Sequence, residues 1–279
     1  MIPDFLYKYR AVNKLTLMSL INRSIWLSSP EHLNDPFDCN FKLNHEPISK
    51  NDFIKLLNTA LQKNEANSKT NIHNCIVPEA FDGENISDFL CEDILGFKNH
   101  IEKNMKKTGI LSLTINHNNM RMWSLYADGH KGICIGYKPE NLFKNNNIVE
   151  IAHKVNYLIS NSLLYNSFEL YARCLANEDK NEYKKIIYEL LSTKTSEWSY
   201  EQEWRIISQN QFGNFHYDES ALISIFFGLK CPSDDKVTIR NILSAVPMYF
   251  YQMVKSESSP ELIPVLMEKD SKYWHESPE

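Results

Sequence analysis

The sequence predicts an α+β fold in which small mixed or antiparallel sheets are interrupted by helical insertions. Three observations carry this expectation. Short aromatic or β-branched runs with period-two alternation recur along the chain, as in Phe5–Tyr9, Ile110–Ile115 and Leu222–Phe227. Between them lie two long stretches of helical periodicity, 49–107 and 160–193. No linker rich in Gly, Pro or Ser divides the chain, so one domain over residues 1–279 is expected, with those two stretches as insertions.

The first strand covers Phe5–Tyr9 and is followed by Arg10. Asn13 is placed to cap a short helix with Leu15, Met18 and Ile21 along its inner face. Ile25–Ser28 is a second strand, broken by Pro30 and by Asn34-Asp-Pro-Phe-Asp38, a rigid turn or the rim of a site. A helix runs from Ser49 to Lys63, and residues 64–85 read as a mobile insertion. Ser87 caps the next helix, with Phe89, Leu90, Ile94, Phe97 and Ile101 inward and Gly109 after its end. Met120–Ala127 is a short helix, Asp128–Gly132 a turn and Ile133–Tyr137 a buried strand. Ile148–Tyr157 is another strand, and Ser162–Ala176 with Asp179–Ser192 a helical hairpin. After Leu222–Phe227, Asp234 opens a helix to Leu243. Met248–Val254 and Leu262–Met267 close the fold, and the tail from Glu268 is expected to be loose.

Composition narrows the function. A net charge of −5 gives no footprint of a general nucleic-acid binder. The eight glycines form neither a dinucleotide-binding fingerprint nor a P-loop. The six cysteines are scattered without C-x-x-C, and the nine histidines show no zinc spacing, so no metal is expected. Free thiols, no signal-peptide pattern and no apolar run of membrane-spanning length imply a cytoplasmic protein with no membrane partner.

The densest functional stretch is Ser196–Ile207, where Glu201 and Glu203 stand among Trp198, Tyr200, Trp204 and Arg205. In an extended chain Glu201, Glu203 and Arg205 share one face at roughly 6–7 Å per step. That pattern fits a salt-bridged strand face as well as a working carboxylate pair. Gly129-His130-Lys131-Gly132 is a turn where a phosphate could approach the backbone.

Leu6-Tyr-Lys-Tyr9, Ile25-Trp-Leu-Ser-Ser-Pro30, Asn34–Asp38, Met122–Asp128, His130–Tyr137 and Tyr200–Ile207 fall in an order that resembles the domain of unknown function 2971 family, near a group of abortive-infection phage-resistance proteins. Glu201-Gln-Glu203 also resembles the Glu-x-Glu element of ADP-ribosyltransferases of the Arg–Ser–Glu class. There the motif follows an early strand with an Arg and a middle strand with a Ser/Thr cluster. Arg10 and Ser112-Leu-Thr114 occupy those places, although Ser112-Leu-Thr114 is not Ser-Thr-Ser, and Ser28-Ser29 is a rival for the serine. This resemblance implies a split-sheet fold, NAD as substrate and an effector of phage defence or toxin-like growth arrest. Glu203 would stabilise the oxocarbenium-like transition state, and Glu201 would handle the acceptor. Arg10, with Lys8 second, would hold the pyrophosphate; Tyr9, Trp26, Trp123 and Tyr126 offer ring faces, and Ser28, His130 and Lys131 further contacts. Glu203 in particular should face a cleft shared with Arg10. The acceptor is an unknown macromolecule or nucleotide, and other defence-system proteins are possible partners. Two alternatives stand beside this: a non-catalytic sensor or binding module, and a Mg²⁺-dependent nuclease using Asp35 and Asp38 with the Glu pair.

Overall fold

A computed structural model describes residues 2–39, 42–63, 78–144, 152–159, 164–177, 181–209 and 211–278. The expected insertion 64–85 lies largely outside the described residues, as do the start of the strand read at 148 and the joints of the helical hairpin near 162 and 179. The chain divides into two compact units. The first contains Met1–Ser28, Gly109–Val155 and Glu197–Glu279; the second contains Ser29–Thr108 and Asn156–Ser196.

The first unit is built on one eight-stranded mixed sheet that was not expected, and the chain also carries several small two-stranded sheets, as expected. Its strands are β1 (Leu6–Arg10), β3 (Gly109–Thr114), β4 (Ile133–Tyr137), β5 (Ala152–Lys154), β6 (Glu203–Ser208), β8 (Leu222–Phe227), β9 (Tyr249–Lys255) and β10 (Leu262–Leu266). Their spatial order is β10-β9-β8-β4-β1-β3-β6-β5, antiparallel except for β8 beside β9. β2 (Ser24–Leu27) pairs with β7 (Gly213–His216) in a separate ribbon. The large sheet forms because the apolar strands β3, β4, β6 and β8 are buried on both faces. One face packs Leu6, Leu111, Leu113, Ile135, Ile206 and Phe227; the other packs Tyr9, Trp123, Cys134, Phe226 and Met253.

The sheet forks at its centre. β1 and β4 register at five consecutive positions, but β1 and β3 register only at Tyr7↔Thr114. Further along the same edge of β3, Ile110 exchanges both backbone hydrogen bonds with Ser28, at 2.9 and 2.8 Å. Period two along the strand turns the Ser112 carbonyl toward the same edge, into the fork between these contacts. Gly132 is needed beside β1, because a Cβ there would stand 2.2 Å from the Arg10 carbonyl oxygen.

Asn13 caps α1 (Lys14–Ile21), its Oδ1 accepting from Thr16 N–H at 3.0 Å. The face differs from expectation: Leu15, Met18 and Ile21 are exposed, and Thr16 and Leu20 are buried. Eight residues that are mostly apolar all round do not fix a phase. The tail after Glu268 is docked rather than loose. Lys236 of α7 (Ser233–Ile242) is fully buried and donates to the Tyr273 and Glu276 carbonyls at 2.9 and 2.8 Å, and Trp274 is buried against Phe227 and Phe250.

In the second unit, α2 (Lys50–Lys63), α3 (Asp88–Lys106) and α5 (Ser167–Ala176) supply a core of Phe53, Leu57, Leu90, Ile94, Phe168 and Ala172, and α6 (Glu182–Leu191) buries Ile186, Ile187, Leu190 and Leu191. Ser87 caps α3 as expected, but Phe89 is exposed. Both sequence-predicted insertions fall in this unit.

Candidate functional site

The three strands bearing the early Arg, the Ser/Thr pair and the Glu are sheet neighbours, β1–β3–β6. Thr114 is opposite both Tyr7 and Glu203, and Ser112 is opposite Arg205. Glu203 opens β6 and is buried, and its carboxylate is held by the fully buried Arg205 of the same face. Arg205 Nε donates to Oε1 at 2.8 Å and its second guanidinium nitrogen to Oε2 at 3.2 Å. The shared face foreseen for these residues is present, but it lies inside the protein.

Glu201 is not one strand step earlier. Ser196–Glu201 is a 3₁₀ segment, and Gln202 has φ +46°, so the extended chain begins at Glu203. This kink frees Glu201 from the alternation of β6 and turns its carboxylate to α4 (Met120–Tyr126), where the Tyr126 hydroxyl donates to Oε1 at 2.6 Å. The Thr114 hydroxyl donates to the Glu201 carbonyl at 2.6 Å, and Asn119 Nδ2 donates to the Tyr200 carbonyl at 2.8 Å. Asn119 also caps α4 by accepting from Arg121 and Met122. Thr114 lies in the Ser/Thr element read from the sequence, but Asn119 was missed because 116–119 is a polar loop; an Asn directly before an amphipathic helix is the signal that could have flagged it.

Lys8 and Arg10 share a face of β1 with Leu6, opposite to Tyr7 and Tyr9, by the regular β1–β4 register. Arg10 therefore leaves the sheet on the face opposite Glu203, where a cleft shared by the two was expected. Lys8 connects the two sides. Its ammonium enters the fork and donates to the Ser112 carbonyl at 2.8 Å. Burial lowers its pKa to about 7, with the Arg10 charge acting in the same direction and Glu203 and Glu201 opposing. Burial also lowers Arg10, against the influence of Tyr137. Among the described residues, neither Lys8 nor Arg10 has a carboxylate within ion-pair distance, and the Arg10 guanidinium has no hydrogen-bond partner. Two neighbouring basic groups with no carboxylate at ion-pair distance favour an anionic group nearby.

Other sequence-predicted contacts are redistributed. Tyr9 and Trp123 are core residues packed edge to face at 5.0 Å, Tyr9 bonding Asn116 and Trp123 bonding the His117 carbonyl, so neither offers a free ring face. Tyr126 serves Glu201 rather than a ligand ring. Trp26 is exposed on β2, two residues before Ser28 at the fork. In the 128–132 turn, the N–H groups of Gly129, His130, Lys131 and Gly132 bond Ser124, Trp123, Asp128 and Ala127, which leaves no backbone cradle for a phosphate. Asp35 and Asp38 are used locally in the second unit: Asp35 Oδ1 accepts from Phe37 N–H, and Asp38 pairs with buried Lys194 at 3.7 Å. Among the described residues no cluster of three or more His, Cys, Asp or Glu is arranged to hold a metal ion. No helix among them is long and apolar enough to cross a membrane.

Fold and site together define an α+β protein whose central sheet carries a buried carboxylate–guanidinium pair and, on β1, a Lys and an Arg with no carboxylate within ion-pair distance among the described residues. Residues 122–206, from α4 to the middle of β6, match the family described as "Protein of unknown function (DUF2971)", and the family resemblance is shown over that segment. No curated protein and no solved structure matches the chain.

Proposed function

We propose that the first unit takes NAD as substrate and transfers ADP-ribose, as an effector in defence or growth arrest. The observation that carries this reading is the adjacency of the Arg, Ser/Thr and Glu strands around a fork that receives the Lys8 ammonium, with Arg10 on the same face of β1 as Lys8. The dinucleotide's pyrophosphate would neutralise Arg10 and Lys8, removing the cost of leaving them without counter-ions. A carboxylate close to the fork would stabilise the positive charge that develops on the ribose as the nicotinamide bond breaks.

The geometry supports exchanging the two glutamate roles. Arg205 engages both oxygens of Glu203, which suits a positioning residue that fixes the start of β6. Glu201, which accepts from Tyr126 and stands before the left-handed Gln202 rather than in the strand, is the group we assign to meet the ribose. Chromatography of NAD incubated with the protein tests the proposal. Release of nicotinamide that is lost in Glu201→Gln supports it. NAD binding without release would favour a non-catalytic nucleotide sensor, and neither binding nor release would refute both.

A further inference from the structure

Lys8 carries chemistry that anion binding does not use. Its amine has one close hydrogen-bond partner among the described residues, the neutral Ser112 carbonyl at 2.8 Å. It is partly buried, on a strand whose next same-face residue is the unpartnered Arg10. An ordinary surface lysine is protonated at neutral pH and is a poor nucleophile; a lysine beside another cation and partly out of water is a good one.

We infer that Lys8 and Arg10 form a covalent capture site for phosphorylated aldehydes, Arg10 holding the phosphate and the Lys8 amine attacking the carbonyl carbon. A C–N bond forms as the carbonyl π bond opens, and a proton passes from nitrogen to oxygen to give the carbinolamine. Loss of that oxygen as water leaves the imine, so no oxidant or reductant is required. The charged groups that act on Lys8 set its behaviour: burial and Arg10 favour the free amine, and Glu203 and Glu201 favour the protonated iminium once it has formed. The lowered pKa of about 7 places the free amine within reach of neutral pH. This inference does not depend on NAD being the substrate.

The test uses the whole chain with pyridoxal phosphate as the probe, borohydride to fix the imine, and peptide mass mapping. At substoichiometric probe, the reduced adduct is expected mainly on Lys8. Pyridine-4-carboxaldehyde, which lacks the phosphate, should label Lys8 at least about tenfold less, as expected for loss of one charge-assisted contact. Arg10→Gln should bring the two aldehydes to the same level. Labelling of Lys8 should rise through pH 7, and that of exposed lysines only toward their usual, much higher range. Adducts spread over many lysines, or equal labelling of Lys8 by both aldehydes in the unaltered protein, would overturn the inference whether or not the variant folds.

Discussion

Replacing Glu203 by Gln is a probe of folding before it is a probe of catalysis. The Arg205 side chain is 0% exposed and that of Glu203 4%, and they meet through two charge-assisted hydrogen bonds. Removing one charge from such a pair leaves the other buried without full compensation, a loss of about 3 kcal/mol. For a chain with an m-value near 3 kcal/mol/M, the urea midpoint should fall by roughly 1 M. Removing both charges together, as in Glu203→Leu with Arg205→Met, should cost less than the single change, because neither member of this pair is left facing an apolar replacement. Urea denaturation followed by tryptophan fluorescence reads both variants. A Glu203→Gln midpoint within about 0.2 M of the unaltered protein, or a double variant worse than the single one, would refute this account of the pair. The practical consequence is that lost activity in Glu203→Gln alone does not identify a catalytic carboxylate; Glu201→Gln retains an acceptor for Tyr126 and is read beside the same denaturation curve.

Three further outcomes are expected. Tyr126→Phe removes the hydrogen bond to the Glu201 carboxylate and should destabilise the first unit by about 2 kcal/mol, read as a lowered midpoint. Lys8 has its folded pKa lowered to about 7, so the unfolded chain binds its proton more tightly. The resulting penalty is fully present below pH 7 and is relieved as pH rises toward the ordinary lysine value, so stability should increase between pH 7 and 9, and Lys8→Met should flatten that rise. Lys236→Met leaves the Tyr273 and Glu276 carbonyls without their donor, and limited proteolysis should then cut the 268–279 tail well before the rest of the chain.

What the sequence made legible was local. Asn13 and Ser87 cap the helices foreseen for them, because a cap needs only its own first turn. The strands around 110, 133, 203 and 222 were visible for the same reason: each is an apolar run with its own alternation. The break before Glu203 was not visible, since the left-handed conformation falls on Gln202, a residue with no intrinsic preference for it. Reading Glu201 and Glu203 as successive positions of one strand therefore placed both carboxylates on one face. The single eight-stranded sheet was also hidden, because the pairing of β1 with β3 and β4 joins segments more than a hundred residues apart in sequence. Parity then decided the rest: once β1 lies beside β4 in that register, Tyr9 goes into the core with Trp123 and Arg10 goes to the other face. Composition marked the tail after Glu268 as solvated, and only the structure reveals the buried lysine that docks it.

The claim on which the functional account turns is that the fork at Lys8 receives NAD and that Glu201 acts on it. Nicotinamide release from NAD, followed by chromatography for the unaltered protein, Glu201→Gln and Arg10→Gln, tests it most directly. The account predicts release by the unaltered protein, loss in Glu201→Gln with NAD binding retained, and weakened binding in Arg10→Gln. Folded protein that neither binds NAD nor releases nicotinamide would contradict it.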